Sequence, residues 1–113
     1  MNMKETITYD DFVKLDIRTG TVTKAELITK SKKLLRLEVF FGEVVGTRVI
    51  LAGVAESFEP AMILGNQVVA VLNLAPRTMM GMESHGMLLA GHSATGKLSL
   101  VCCPGVPDGG DVG

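Results

Sequence analysis

Apolar positions in this chain recur with a period of two more often than with a helical period, and the runs they mark are short. Residues 35–39 are the clearest case: Leu35, Leu37 and Val39 alternate with Arg36 and Glu38, the pattern of a strand with one buried face. That strand is expected to end near Gly42. Residues 16–27 have the β-rich content of a longer strand, with Gly20 inside it as a bulge or bend. Residues 44–52 predict a third strand closed by Gly53, and residues 67–72 a fourth that is almost wholly apolar and should be buried. Residues 87–90 predict a fifth, and residues 97–102 a sixth after the small-residue turn 91–96.

Helical signals are few and brief. Thr8 as N-cap with Asp11 three residues on forms a variant capping box within residues 7–12, and Ile7 stands where it can staple against Phe12. Pro60 and Gly65 bracket one or two further turns. Residues 104–110 hold too much Pro and Gly for a regular element and predict at most an extended packed segment.

Five main strands with a short helix between the third and fourth is the order of an oligonucleotide/oligosaccharide-binding (OB-fold) barrel. The expected fold is therefore mainly β: one domain over residues 1–113, with a helical lead-in at 1–15 and a C-terminal extension strand within 91–113. In such barrels ligands lie on strands two and three, flanked by the loops joining strands one to two and four to five. Those loops are residues 29–33, Thr-Lys-Ser-Lys-Lys, and residues 73–86. The second is much longer than the two to five residues of a plain hairpin. It holds a proline, a guanidinium, an amide, a hydroxyl and several methionines.

Charge sharpens this picture. The chain carries a net −1, yet residues 14–48 carry +4, against −2 before them and −3 after. Positive charge is thus local, as a phosphate-contacting patch requires, although a plain solvated face would look the same. Composition is 47% apolar with one Tyr and four Phe, so the core must be built from Val, Leu, Ile and Met. No run of eighteen apolar residues occurs, and the N-terminus lacks the basic and apolar regions of a signal peptide. A cytoplasmic protein with no membrane association is expected.

Catalytic and metal chemistry find little footing. Cys102 and Cys103 are adjacent, which suits reduced thiols better than a mutual disulfide, and with His85 and His92 they lack metal-ligand spacing. Neither metal nor cofactor is expected. Ser84 and His85 are neighbours that point apart in an extended chain, and no Gly-x-Ser-x-Gly elbow or phosphate-cradling glycine loop is present. No catalytic residue is assigned, and any aminoacylation would have to come from a separate domain.

Several blocks in this order carry a resemblance: Phe12, then Leu15-Asp16-Ile17-Arg18-Thr19-Gly20, Lys33-Leu34-Leu35, Gly65, Asn73-Leu74-Ala75-Pro76-Arg77, Gly81, Ser84 and Gly86-Met87. With them the chain resembles the tRNA-binding domain family, found at the C-terminus of methionyl-tRNA synthetases, in stand-alone dimeric tRNA-binding proteins and in small export chaperones. Thr78 stands where the family usually has Lys, Lys32 where many members have Asp, and Phe41 where an acidic residue is common. The resemblance implies a non-catalytic, structure-selective tRNA-binding module and homodimer that assists a methionyl-tRNA synthetase catalytic domain in cis or in trans. A chaperone-type protein-binding dimer, or an appendage that only dimerises a synthetase, are the alternatives.

For that role Lys32, Lys33 and Arg77 would meet phosphates. Asn73 and Ser84 would meet ribose hydroxyls or base edges, and Met80 and Met87 would give polarizable contact to a base in place of aromatic platforms. Each has a plainer reading. Asn73 can simply cap the turn after the fourth strand, Arg77 can pair with Glu83, and Met79 and Met82 read as packing. The apolar end of the chain, Leu98, Leu100 and Val101, needs burial and is expected at the dimer contact.

Overall fold

The computed structural model describes residues 2–113. In chain order, α1 (Tyr9–Val13) leads into β1 (Ile17–Leu27) and β2 (Leu35–Phe40). One turn, α2 (Gly42–Val45), precedes β3 (Thr47–Ala52), and α3 (Pro60–Ile63) precedes β4 (Gln67–Val71). The rest is short: β5 (Arg77–Met79), β6 (Met82–Ser84), β7 (Met87–Leu88), β8 (Ala90–His92) and β9 (Leu98–Leu100). The main sheet has the order β3-β2-β1-β4-β7, and β5-β6 and β8-β9 are separate hairpins.

Alternation in β2 is realised fully. Leu35, Leu37 and Val39 are completely buried and meet Phe41, Ile50, Ile63 and Val68 in the core. The sheet curls because β1 serves two partners: its second half pairs with β2 and its first half with β4. A bulge between Val22 and Lys24 breaks the β1–β2 register and adds local twist. It does not fall at Gly20, where the sequence suggested it. Gly20 is needed for another reason: a Cβ there would stand 2.6 Å from the Phe41 ring. Phe41 itself is wholly buried.

The curled sheet is a half-barrel, as an OB-like fold requires, and its open edge is sealed by side-chain and loop contacts. On β3 the Leu51 N–H donates to the Ser84 hydroxyl at 3.0 Å, and the His85 N–H donates to the Val49 carbonyl at 2.9 Å.

Other boundaries shift for identifiable reasons. The third strand starts at Thr47, because Gly42 and Gly46 both take positive φ and let residues 42–45 form a tight turn. It is closed by the Phe41 N–H to the Gly46 carbonyl at 3.0 Å. The fifth strand divides into β7 and β8, and the sixth shortens to β9. The Thr8–Asp11 capping box forms, but Ile7 and Phe12 remain exposed rather than stapled.

The Pro/Gly-rich end behaves as an additional strand. It lies along the half of β1 that β2 leaves uncovered: Thr19 N–H to Gly110 O at 3.1 Å, Gly109 N–H to Thr19 O at 2.8 Å, and Val112 N–H to Ile17 O at 2.9 Å. The buried Thr19 hydroxyl adds a bond to the Pro107 carbonyl at 2.7 Å, and the Thr21 hydroxyl one to Asp108 at 2.7 Å. No helix among the described residues is long and apolar enough to cross a membrane.

Candidate nucleic-acid interface

Residues 73–86 are not an irregular loop but mostly an arm. β5 and β6 pair as Arg77↔Ser84, Thr78↔Glu83 and Met79↔Met82, joined by the two-residue turn Met80-Gly81. Both turn residues have positive φ, 53° and 75°, the primed geometry that matches strand twist. Met80 is the one non-glycine residue with positive φ among the described residues and is half exposed at the tip.

Two contacts fix the base of the arm. The Asn73 side chain accepts the Asp16 N–H at 2.8 Å and donates to the Lys14 carbonyl at 2.6 Å, clipping the start of the arm to the entry of β1. The role is structural, but it is a long-range clip rather than the local turn cap read from sequence. Ser84 is buried; besides receiving the Leu51 N–H, its hydroxyl donates to the Gly86 carbonyl at 3.2 Å. Its hydroxyl is committed to the barrel seam.

Arg77 is exposed. Glu83 lies beside His85 instead, 3.5 Å from Nε2, and Arg77 has no ion pair among the described residues. Of the eight cations between residues 14 and 48, most are similarly engaged elsewhere. Lys14 faces Asp11, Arg18 faces Asp16, Lys24 faces Glu38, and Arg36 bonds both Glu26 and Glu38 at 2.9 Å. The Arg36 guanidinium, by hydrogen bonding, holds the Glu38 carboxyl below the usual range, and Asp16 raises Arg18 in the same way.

Arg48 donates to the Leu72 carbonyl at 2.8 Å and the His85 carbonyl at 3.4 Å. Sequence reading missed this role. The only signal was a guanidinium among the apolar residues of β3, and its partners lie 24 and 37 residues away. Among the described residues, the cations of this stretch with neither a carboxylate nor a carbonyl partner are Lys30, Lys32 and Lys33. All three are exposed, on a turn organised by the Ser31 hydroxyl, which accepts the N–H groups of Lys33 and Leu34. The Lys33 carbonyl accepts the Ala55 N–H at 3.0 Å, tying this loop to the segment after β3.

That segment forms one wall of a cavity of about 280 Å³. Residues 51–54 make the first wall, the base of the arm with Arg77, Met79 and Ser84 the second, and Met87, Leu88, Ala90, His92 and Leu98 the third. Arg77 and Met87 therefore share one cleft, whereas Met80 stands off at the arm tip. A broader depression of about 830 Å³ lies on another face, between Phe58 and Met62 on one side and Leu100 and Cys102 on the other. Leu98 and Leu100 are partly buried against the core, while Val101 stays exposed. Both cysteines are free thiols, and no cluster of three or more His, Cys, Asp or Glu occurs among the described residues.

Comparison with known proteins converges on one family. Residues 17–110 match the model described as a putative tRNA binding domain. Among curated relatives, the methionine–tRNA ligase of Methanococcoides burtonii is 54% identical over 98 residues, and that of Flavobacterium psychrophilum 49% over 98 residues. Each alignment covers 87% of this chain but 14% of the ligase, so the chain spans about one-seventh of their length. Among solved structures, a MetRS-related protein from Pyrococcus horikoshii superposes with a TM-score of 0.88 at 37% identity, covering 96% of this chain and 99% of that one. The chaperone CsaA from Bacillus anthracis superposes with a TM-score of 0.86 at 32% identity, covering 96% and 100%.

Proposed function

The chain belongs to the putative tRNA-binding domain family, and from that premise we propose that it is a structure-selective tRNA-binding module serving a methionyl-tRNA synthetase in cis or in trans. Residues 17–110 form a small domain of that binding family. The observation that carries the reading is the sorting of charge. Carboxylates or carbonyls occupy Lys14, Arg18, Lys24, Arg36 and Arg48, while Lys30, Lys32, Lys33 and Arg77 stand exposed on the loop and arm that flank the cleft.

Exposed, unpaired cations release counterions from a phosphate backbone at little desolvation cost. Lys32, Lys33 and Arg77 contact phosphates in this reading, and Met87 and Met80 contact bases. Asn73 shapes the arm and leaves its exposed edge for a ribose hydroxyl. The domain works in the cytoplasm as a homodimer, formed through the apolar face that holds Phe58, Met62 and Leu100.

The test is binding of mixed tRNA across a salt series, with duplex DNA as competitor. Salt-sensitive binding that prefers tRNA supports the reading; no binding at low salt removes it. A second reading, a protein-binding dimer, draws on the similarity to the CsaA structure and on the apolar cleft. Capture of an unfolded apolar peptide in the absence of tRNA binding would favour it.

A further inference from the structure

The cavity beneath the arm has features that backbone contact with RNA does not use. At about 280 Å³ it lies near the lower end of small-ligand pockets, roughly 300–1,000 Å³, which fits one heterocycle and excludes a base pair in its helix. Its lining is largely apolar and contains two thioethers, Met79 and Met87, with the His92 imidazole also lining it. Thioethers are polarizable and pack well on aromatic faces, and imidazole supplies a hydrogen-bonding edge. The inner end is held by Ser84, whose hydroxyl is committed to Leu51 and Gly86, so the space is braced by hydrogen bonds. Arg77, exposed and without a counter-ion, belongs to the same lining, and the lysine loop is bonded to the neighbouring wall through Lys33.

We infer that this cavity takes one unstacked nucleobase of the bound RNA, with the nucleotide's phosphate on Arg77. The inference rests on the tRNA-binding reading and deepens it: the module selects RNA that offers an unpaired base, as folded RNA does in loops and at ends. Charge complementarity decides the occupant. An apolar peptide side chain would fit the walls but would leave Arg77 and the lysine loop without counter-charge, whereas a nucleotide supplies heterocycle and anion together.

Two measurements test it on the intact protein. In the first, methyl resonances of Leu51, Met79, Met87 and Leu88 are followed while adenosine 5′-monophosphate, ribose 5-phosphate or a short apolar peptide is added. The mononucleotide is expected to shift them, and ribose 5-phosphate is not. Shifts caused by the peptide alone, or equally by ribose 5-phosphate, would overturn the inference.

In the second, the cavity is filled by Ala90→Leu and, independently, by Ala75→Phe at an exposed loop position, so that a folding defect in one leaves the other to decide. Each should weaken tRNA binding about fivefold or more, the lower end of base-stacking energies, with the salt slope unchanged. Wild-type affinity in a folded, filled variant overturns the base pocket and leaves tRNA binding standing. Failure of the wild-type protein to bind tRNA overturns both.

Discussion

The hydroxyl of Ser84 receives the backbone N–H of Leu51 at 3.0 Å, and with the neighbouring His85 N–H to Val49 bond it holds the arm against the free edge of β3. Ser84 and Leu51 are both buried, so Ser84→Ala leaves an amide without water or a partner. The expected loss is about 1–3 kcal/mol, read as a lower urea midpoint at unchanged m-value.

Gly20 and Phe41 are matched in shape. Gly20→Ala places a methyl 2.6 Å from the ring and should cost about 1–3 kcal/mol through overpacking. Combining it with Phe41→Leu should recover part of the loss. A double-mutant cycle by denaturant unfolding would show non-additivity if the ring is the cause, and simple additivity would exclude it.

The tip of the arm carries a backbone conformation that its residue resists. Met80 has φ 53° at the first position of a two-residue turn followed by Gly81, where Asn is far better tolerated. Met80→Asn should stabilise the domain by about 0.5–1 kcal/mol, visible as a higher Tm, and should weaken tRNA binding if the thioether touches a base.

Arg77 and Asn73 should separate cleanly. Arg77→Ala should leave the unfolding midpoint within about 0.5 kcal/mol of wild type while lowering tRNA affinity and reducing the salt slope by about one. Asn73→Ala should instead lower stability by about 1 kcal/mol through the two backbone groups it releases. Circular dichroism melts beside binding isotherms would distinguish the two patterns, and an unstable Arg77→Ala would assign that residue to the fold.

Acid stability should report the Arg36–Glu38 pair. Glu38 is held below its ordinary range chiefly by the hydrogen bond from Arg36. Its stabilising contribution is therefore complete above the unfolded carboxylate pKa, roughly 4.3, and is lost as pH falls through the lower folded value. Arg36→Gln should flatten the dependence of the urea midpoint on pH in this window. An unchanged slope would show that the pair contributes nothing on the exposed sheet face.

Signals confined to a few neighbouring residues were legible in the sequence. The alternation of Leu35, Leu37 and Val39, the Thr8–Asp11 capping box and the Pro60 to Gly65 turn all stand as read. What escaped depends on partners far away in sequence. Arg48 reads as a surface cation until the carbonyls of Leu72 and His85 are placed beside it. Ser84 reads as a loop hydroxyl until β3 meets it. The arm escaped because its strands are three residues each and its turn begins with Met rather than the usual Asn or Asp. Arg77, Lys32 and Lys33 could be picked out as cations, but their lack of partners became visible only when Lys14, Arg18, Lys24, Arg36 and Arg48 had been matched to carboxylates or carbonyls.

The C-terminal segment has a consequence for how the chain comes to be folded. Thr19, early in β1, bonds Pro107, 88 residues downstream, and the same few residues of β1 receive Gly109, Gly110 and Val112. Half of the central strand thus waits for residues 107–112 to arrive, and contacts of such separation are slow to form. During synthesis that strand edge stays open until residues 107–112 clear the ribosome, when they lock onto Ile17 and Thr19. Stability should then appear late and all at once, and a nick before residue 107 should be felt at Ile17 and Thr19 as strongly as at residues 107–112.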